Sequence, residues 1–170
     1  MTAPTNWVAR PETRADIPAI RAINLAAFET ALEADLVEAL RNDPSWIEGL
    51  SIVSTCLNGK PVGYALMTRC HVDEVPALCL GPCAVDPMYQ RSGAGSVAIR
   101  AALKAAESMN ETCVIVLGHP TYYPRFGFSP AARYGIRLSI DVPGDALMAL
   151  SLSADPLPSG TVRYAQPFGI

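Results

Sequence analysis

The sequence predicts one α/β (α+β) domain spanning residues 1–170, a mixed sheet flanked by helices. Three observations predict it. Apolar residues return at helical spacing in three stretches, 13–27, 29–41 and 94–109. Short runs rich in Val, Ile and Leu at 50–57, 62–72, 77–85 and 113–117 read as strands between turn signals. No repeat, low-complexity segment or linker divides the chain, and 170 residues are enough for one core.

Composition narrows the function classes. Half the residues are apolar and 17% are charged, as in a globular protein. Thirteen basic and sixteen acidic residues give a net charge of −3, scattered along the chain. A nucleic-acid groove needs clustered Lys and Arg, and only Lys60 and Lys104 are lysines, so no nucleic-acid partner is expected. The longest uncharged runs, near 75–85 and 113–124, are too short to span a bilayer and contain proline. The N-terminus lacks the basic-then-apolar layout of a signal peptide, so the expected location is the cytoplasm. Cys56, Cys70, Cys79, Cys83 and Cys113 show no C-x-x-C pair and no His at zinc-like spacing. They read as free thiols in a reducing compartment, and no metal site is expected.

The elements follow in order. Residues 7–11 make a short first strand. Thr13 is placed to cap a helix, with Asp16 in its first turn, and Ile17, Ile20, Ile23, Leu25 and Phe28 recur along it to Ala27. The second helix, 29–41, puts Leu32, Leu36, Val37 and Leu40 on one face and Glu29, Glu33, Asp35 and Glu38 mostly on solvated ones. Residues 42–45 end it. Asn58-Gly59 is the strongest hairpin signal, joining strand 50–57 to strand 62–72. Alternation sets Tyr64, Leu66, Thr68 and Cys70 against Gly63, Ala65, Met67 and Arg69. Strand 77–85 is almost continuously apolar, hence central and covered on both faces. Gly81-Pro82 interrupts it, which predicts a bulge where the strand splays and frees backbone groups. Residues 113–117 are a buried strand, 122–126 at most a short helix, and 135–140, 146–152 and 161–164 extended segments.

The organising stretch is 83–109, a strand end, a polar loop, the turn Gln90-Arg91-Ser92-Gly93-Ala94-Gly95, and a helix. Such a turn leaves unpaired N–H groups at the positive end of the helix dipole, an anion site suited to phosphate. A P-loop would need a lysine that is absent. Gly93-Ala94-Gly95-Ser96-Val97-Ala98 fits G-x-G-x-x-[GA], but seven residues separate Val85 from Gly93. The next strand ends Leu117-Gly118-His119, without the acid that would hold a dinucleotide ribose.

Gln/Arg-x-x-Gly-x-Gly/Ala after a strand and opening a helix resembles the acyl-CoA signature of the GNAT N-acetyltransferase superfamily. Val85-Asp86-Pro87-Met88-Tyr89-Gln90 resembles the approach to that signature, and Tyr123-Pro124-Arg125-Phe126-Gly127-Phe128 a later family element. Leu80-Gly81-Pro82, the stretch from Gly118 to Tyr123, and Ser159 to Tyr164 are similar to a narrower YhbS-like branch. The likeness covers residues 7 to 152 and implies a mostly antiparallel central sheet with a splayed, bulged central strand.

The resemblance implies an acyl-CoA-dependent N-acyltransferase using acetyl-CoA as co-substrate. The N–H groups from Ser92 to Ser96 (with Gly93, Ala94 and Gly95) would cradle the pyrophosphate, beside Gln90 and Arg91. The splayed strand, Cys83, Ala84 and Val85, would hydrogen-bond the pantetheine, and the Cys83 N–H would polarise the thioester carbonyl. Tyr123 stands where the family places its general acid. The general base is open between Glu33, Asp73, Glu74, His119 and water chains; His119 suits a proton shuttle or a turn-capping role. No flanking base activates Cys83, so direct attack by an amine in a ternary complex is preferred to an acetyl-Cys83 route. The acceptor, small molecule or protein, stays open, as does a homodimer. The competing reading is a non-catalytic acyl-CoA-binding or regulatory domain on the same fold.

Overall fold

A computed structural model describes residues 7–170. The chain runs β1 (Val8–Pro11), α1 (Ile17–Ala27), α2 (Leu32–Arg41), β2 (Trp46–Thr55), β3 (Pro61–Val72), β4 (Val75–Val85) and α3 (Ala94–Ser108). It continues β5 (Cys113–Leu117), β6 (Ser129–Pro130), β7 (Ile136–Arg137), β8 (Leu147–Ser151) and β9 (Gly160–Arg163). The sheet order is β1-β2-β3-β4-β5-β8-β6, with β9 beside the end of β3 and β7 beside β9. Within the main path only β4 and β5 run parallel. The α3 crossover between them accounts for that, since parallel neighbours need a long connection.

Strand alternation decides which layer each side chain enters. Ala65, Met67, Leu78, Leu80, Val114 and Val116 face α3, whose Ala98, Ile99, Ala102, Leu103 and Ala106 complete that layer. Tyr64, Leu66 and Ala84 face Ile20, Ile23, Val37 and Leu40 of α1 and α2. Cys70, Cys79, Cys113 and Ile115 meet the C-terminal segments through Ala149 and Val162. Burying Ile99 and Leu103 contributes about 1.5–3 kcal/mol each, so the α3 stripe, not helix propensity, seats that helix on the sheet. The thiols are free, with Cys70, Cys79 and Cys113 buried.

Several boundaries differ from the sequence expectation. The second helix starts at Leu32, not residue 29. Phe28 leaves α1 in extended backbone, and the Thr30 hydroxyl accepts the Leu32 N–H at 3.3 Å, so the break needs residues 29–31. Leu32 is 72% exposed and outside the core face assigned to it. β2 begins at Trp46, not residue 50. Gly49 has φ +92°, and the register shifts between Trp46 and Ser51, so a bulge hides the strand's first residues from any period-two reading. The 58–59 hairpin has a three-residue loop. The Gly59 N–H reaches the Cys56 carbonyl at 2.9 Å and Gly59 takes φ +87°, a type I turn followed by a left-handed glycine. Extended segment 135–140 shrinks to Ile136–Arg137.

Candidate active site

The bulge at Gly81-Pro82 is present. Ala65 pairs with Cys83 and Met67 with Leu80, so Leu66 alone faces two residues of β4. Its consequence lies on the other edge. β4 pairs with β5 only from Leu78↔Val114 to Leu80↔Val116, and beyond Leu80 the two strands part while β4 keeps β3 as far as Val85. The Asp86 N–H donates to the Val62 carbonyl at 2.8 Å. By strand alternation the Ala84 N–H also turns toward β3, and those of Cys83 and Val85 turn into the opening.

A cleft of about 810 Å³ occupies this opening. Cys83, Ala84, Val85, Gln90, Arg91, Gly93, Gly95, Ser96 and Tyr123 line it, joined by Ala27, Phe28 and His119. Of the residues expected at the site, Ser92 and Ala94 are absent from the lining. The Ser92 carbonyl accepts Trp7 Nε1–H at 2.9 Å, and Ala94 is buried, its carbonyl taking the Ser54 hydroxyl at 2.8 Å. Gly93 adopts φ +94°, which starts α3 abruptly. The first N–H bonded inside the helix is that of Val97, to the Gly93 carbonyl at 3.0 Å. The N–H groups of Gly95 and Ser96 precede it and have no carbonyl one turn back within the helix.

These anchors escaped the sequence reading because they are remote. Trp7 also meets Tyr89 edge-on at 5.8 Å, holding the loop before α3. A Cβ at Gly63 would lie 2.2 Å from Ser54 Oγ and 3.2 Å from the Ala94 carbonyl oxygen, so that glycine lets α3 approach β3. Asn58-Gly59 predicts the hairpin but says nothing of what Gly63 faces.

Tyr123 begins a single 3-10 turn, Tyr123–Phe126, with Pro124 in its first turn. Its ring meets Tyr122 at 5.1 Å and Phe128 at 5.9 Å, both edge-on. The phenol and the Cys83 thiol are neighbours against the same core layer. Burial, then the neighbouring thiol, pushes the phenol well above its usual range. Burial pushes the Cys83 thiol up to about 12, with the neighbouring Tyr123 phenol and Leu66 backbone pulling the other way. Both groups therefore keep their protons at neutral pH, and Cys83 carries no thiolate for nucleophilic attack. Tyr122 points its hydroxyl toward Ser96 Oγ at 3.4 Å, while the Arg125 guanidinium lies 4.3 Å from its ring centre.

The candidate bases separate. Asp73 and Glu74 sit at the β3–β4 turn, where the Asp73 carboxylate accepts the Thr161 N–H at 2.9 Å and Glu74 lies 3.8 Å from Arg163. Register places that turn at the other end of β4 from the opening. Glu33 does not line the cleft; His119 does, and it is exposed.

A split between parallel strands that opens onto the bare N-terminus of a helix is the arrangement expected of an acyl-CoA-dependent N-acyltransferase. The chain belongs to the acetyltransferase (GNAT) family, whose model matches residues 17–128. Members of this family take the acetyl group from acetyl-CoA, and this chain is an N-acetyltransferase. It is 37% identical over 163 residues to the uncharacterized N-acetyltransferase YjhQ of Escherichia coli, covering 91% of this chain and 90% of that protein. It is 31% identical over 163 residues to the uncharacterized N-acetyltransferase YhbS of the same organism, covering 94% and 96%. The crystal structure of E. coli YhbS in complex with CoA superposes with a TM-score of 0.89 at 28% identity, over 100% of this chain and 96% of that one. No helix among the described residues is long and apolar enough to cross a membrane.

Proposed function

We propose that the protein transfers the acetyl group of acetyl-CoA to a primary amine by direct attack in a ternary complex. The carrying observation is convergence: the open edge of β4, the N-terminus of α3 and the protonated Tyr123 line one cleft. The residues fit the donor. Gly95 and Ser96 offer free N–H groups for the pyrophosphate, with Gly93 and Ala94 shaping the turn and Gln90 and Arg91 at the mouth. A Cβ at Gly95 would fall 2.9 Å from Val85 Cγ2, so a larger residue there would have to push Val85 or the turn aside. The Cys83 and Val85 N–H groups are placed to bind the pantetheine as an added strand would, with Ala84 pairing back to β3. The Cys83 N–H is the donor for the thioester carbonyl oxygen.

In the transfer the neutral amine nitrogen bonds to the acetyl carbon, the carbon–sulfur bond breaks, the thiolate leaves, and the proton the nitrogen sheds on becoming an amide is balanced by the one the departing sulfur takes up through solvent. Tyr123 donates its phenolic hydrogen bond to that sulfur. The likeness to YhbS, solved with CoA, supports the donor; it leaves the acceptor to experiment. The test incubates the protein with acetyl-CoA and an amine panel, reading free thiol and intact mass. Thiol release only when an amine is present, with no acetylated protein, is expected. An acetyl group on Cys83 before amine addition overturns direct attack. Acetyl-CoA binding without transfer to any amine overturns the enzymatic reading in favour of a binding domain.

A further inference from the structure

A second cleft, about 490 Å³, adjoins the first. It is lined by Leu117, Gly118, His119 and Pro120 at the end of β5 and by residues 142–146. His119 lines both clefts. The 143–146 turn is fixed to β5: the Ala146 N–H reaches the Pro143 carbonyl at 3.0 Å, and the Gly118 N–H reaches the Ala146 carbonyl at 2.9 Å. Asp145 is therefore held one residue from the bond that anchors Gly118, and it lines the same cleft as His119. Its carboxylate is exposed and has no hydrogen bond or ion pair among the described residues. Leu117 is 41% exposed, and Val142 and Pro143 extend an apolar wall. The two clefts also differ in charge. Arg91 and Arg125 line the first, whereas Asp145 is the only residue of formal charge lining the second.

We infer that the cleft between the end of β5 and the 142–146 turn is the acceptor subsite, and that it takes a small primary amine carrying an apolar body. This rests on the acetyl-transfer reading above. Asp145 draws in the ammonium form, the apolar wall holds the body, and the amine nitrogen passes His119 into the acyl cleft. His119 accepts the ammonium proton before attack, so the nitrogen enters with its lone pair free. The polarity suits a bisubstrate site: phosphates meet arginines on one side, and the ammonium meets a carboxylate on the other.

The experiment measures acetyl transfer to paired amines with the same apolar body, one carrying only the reacting amine and one with an added carboxylate. Asp145→Asn raises KM for the simple amine about fivefold, the size of one exposed ion pair, with kcat and the acetyl-CoA KM close to wild type. It narrows the gap between the simple and the carboxylated amine, and Asp145→Glu restores part of the difference. Val142→Trp fills the cleft and raises amine KM without changing acetyl-CoA binding. An unchanged amine KM in both Asp145→Asn and Val142→Trp overturns the subsite while transfer itself stands. If wild-type protein transfers to no amine, the acetyl-transfer reading has failed. The subsite is then read by saturation-transfer NMR of the same amines on the acetyl-CoA-bound protein. Binding weakened severalfold in Asp145→Asn supports it; absent or equal binding overturns it.

Discussion

Tyr123 meets the acyl cleft with its proton held. Burial and the Cys83 thiol raise its folded-state value, so the phenol stays neutral across the working pH range and contributes no alkaline loss of activity there. A phenol so held is a weak acid in the resting site but a good hydrogen-bond donor to a thiolate forming beside it. Tyr123→Phe should lower kcat about 10²-fold while acetyl-CoA KM changes little, as steady-state kinetics will read. Gly118 sets where that ring lies. A Cβ there would stand 2.5 Å from Tyr123 Cε2, inside any tolerated contact, so the ring must move. Gly118→Ala should therefore lower kcat in the wild-type background and add little to Tyr123→Phe. Additive losses in that double-mutant cycle would show that Gly118 acts elsewhere. Tyr123 was legible as a motif residue, but its dependence on Gly118 and Cys83 was not, because those contacts cross from the 3-10 turn to β4 and to the residue just past β5.

Where β1 meets α1, one carboxylate joins two elements. Asp16 accepts the Thr13 N–H at 2.7 Å and the Thr13 hydroxyl at 3.0 Å, and pairs with Arg10 through bonds of 2.6 and 3.0 Å. The Arg10 guanidinium leads in holding its carboxyl at about 2, with burial opposing. A carboxyl lowered in the folded state stabilises above its unfolded value, near 4, and loses that contribution as pH falls toward 2. Asp16→Asn should cost about 2 kcal/mol in urea unfolding at pH 7, and the gap from wild type should close between pH 4 and pH 2. The Thr13 and Asp16 spacing was readable as a helix start; Arg10 as the partner was not, since it sits on the preceding strand. The same division holds for the helices. The face of α3 follows from period alone, whereas the start of α2 depended on Phe28 leaving the helix and Thr30 capping the next.

Across the whole molecule, donor binding should couple to stability, because the cleft is lined together by β4, α1, α3 and the segment 119–125. Acetyl-CoA at a hundred times its dissociation constant should add about 2.7 kcal/mol, raising Tm by roughly 5–10 °C for a chain of this length. CoA without its acetyl group should give most of that rise in a thermal-shift measurement, since the phosphate and pantetheine contacts are shared. What the sequence determined by itself was local: the turn Gln90 to Gly95, the bulge at Gly81-Pro82, the tyrosine before Pro124, and the apolar periods that build the two layers. Each is encoded within a few consecutive residues by backbone freedom, a missing donor or side-chain spacing. Only the tertiary structure decided that the neighbour β4 leaves past Leu80 is β5, that Trp7 and Ser54 brace the loop around α3's first turn, and that His119 rather than Asp73 or Glu74 reaches the cleft. Those outcomes depend on register and on approaches between residues up to 85 apart in the chain, which no local pattern records.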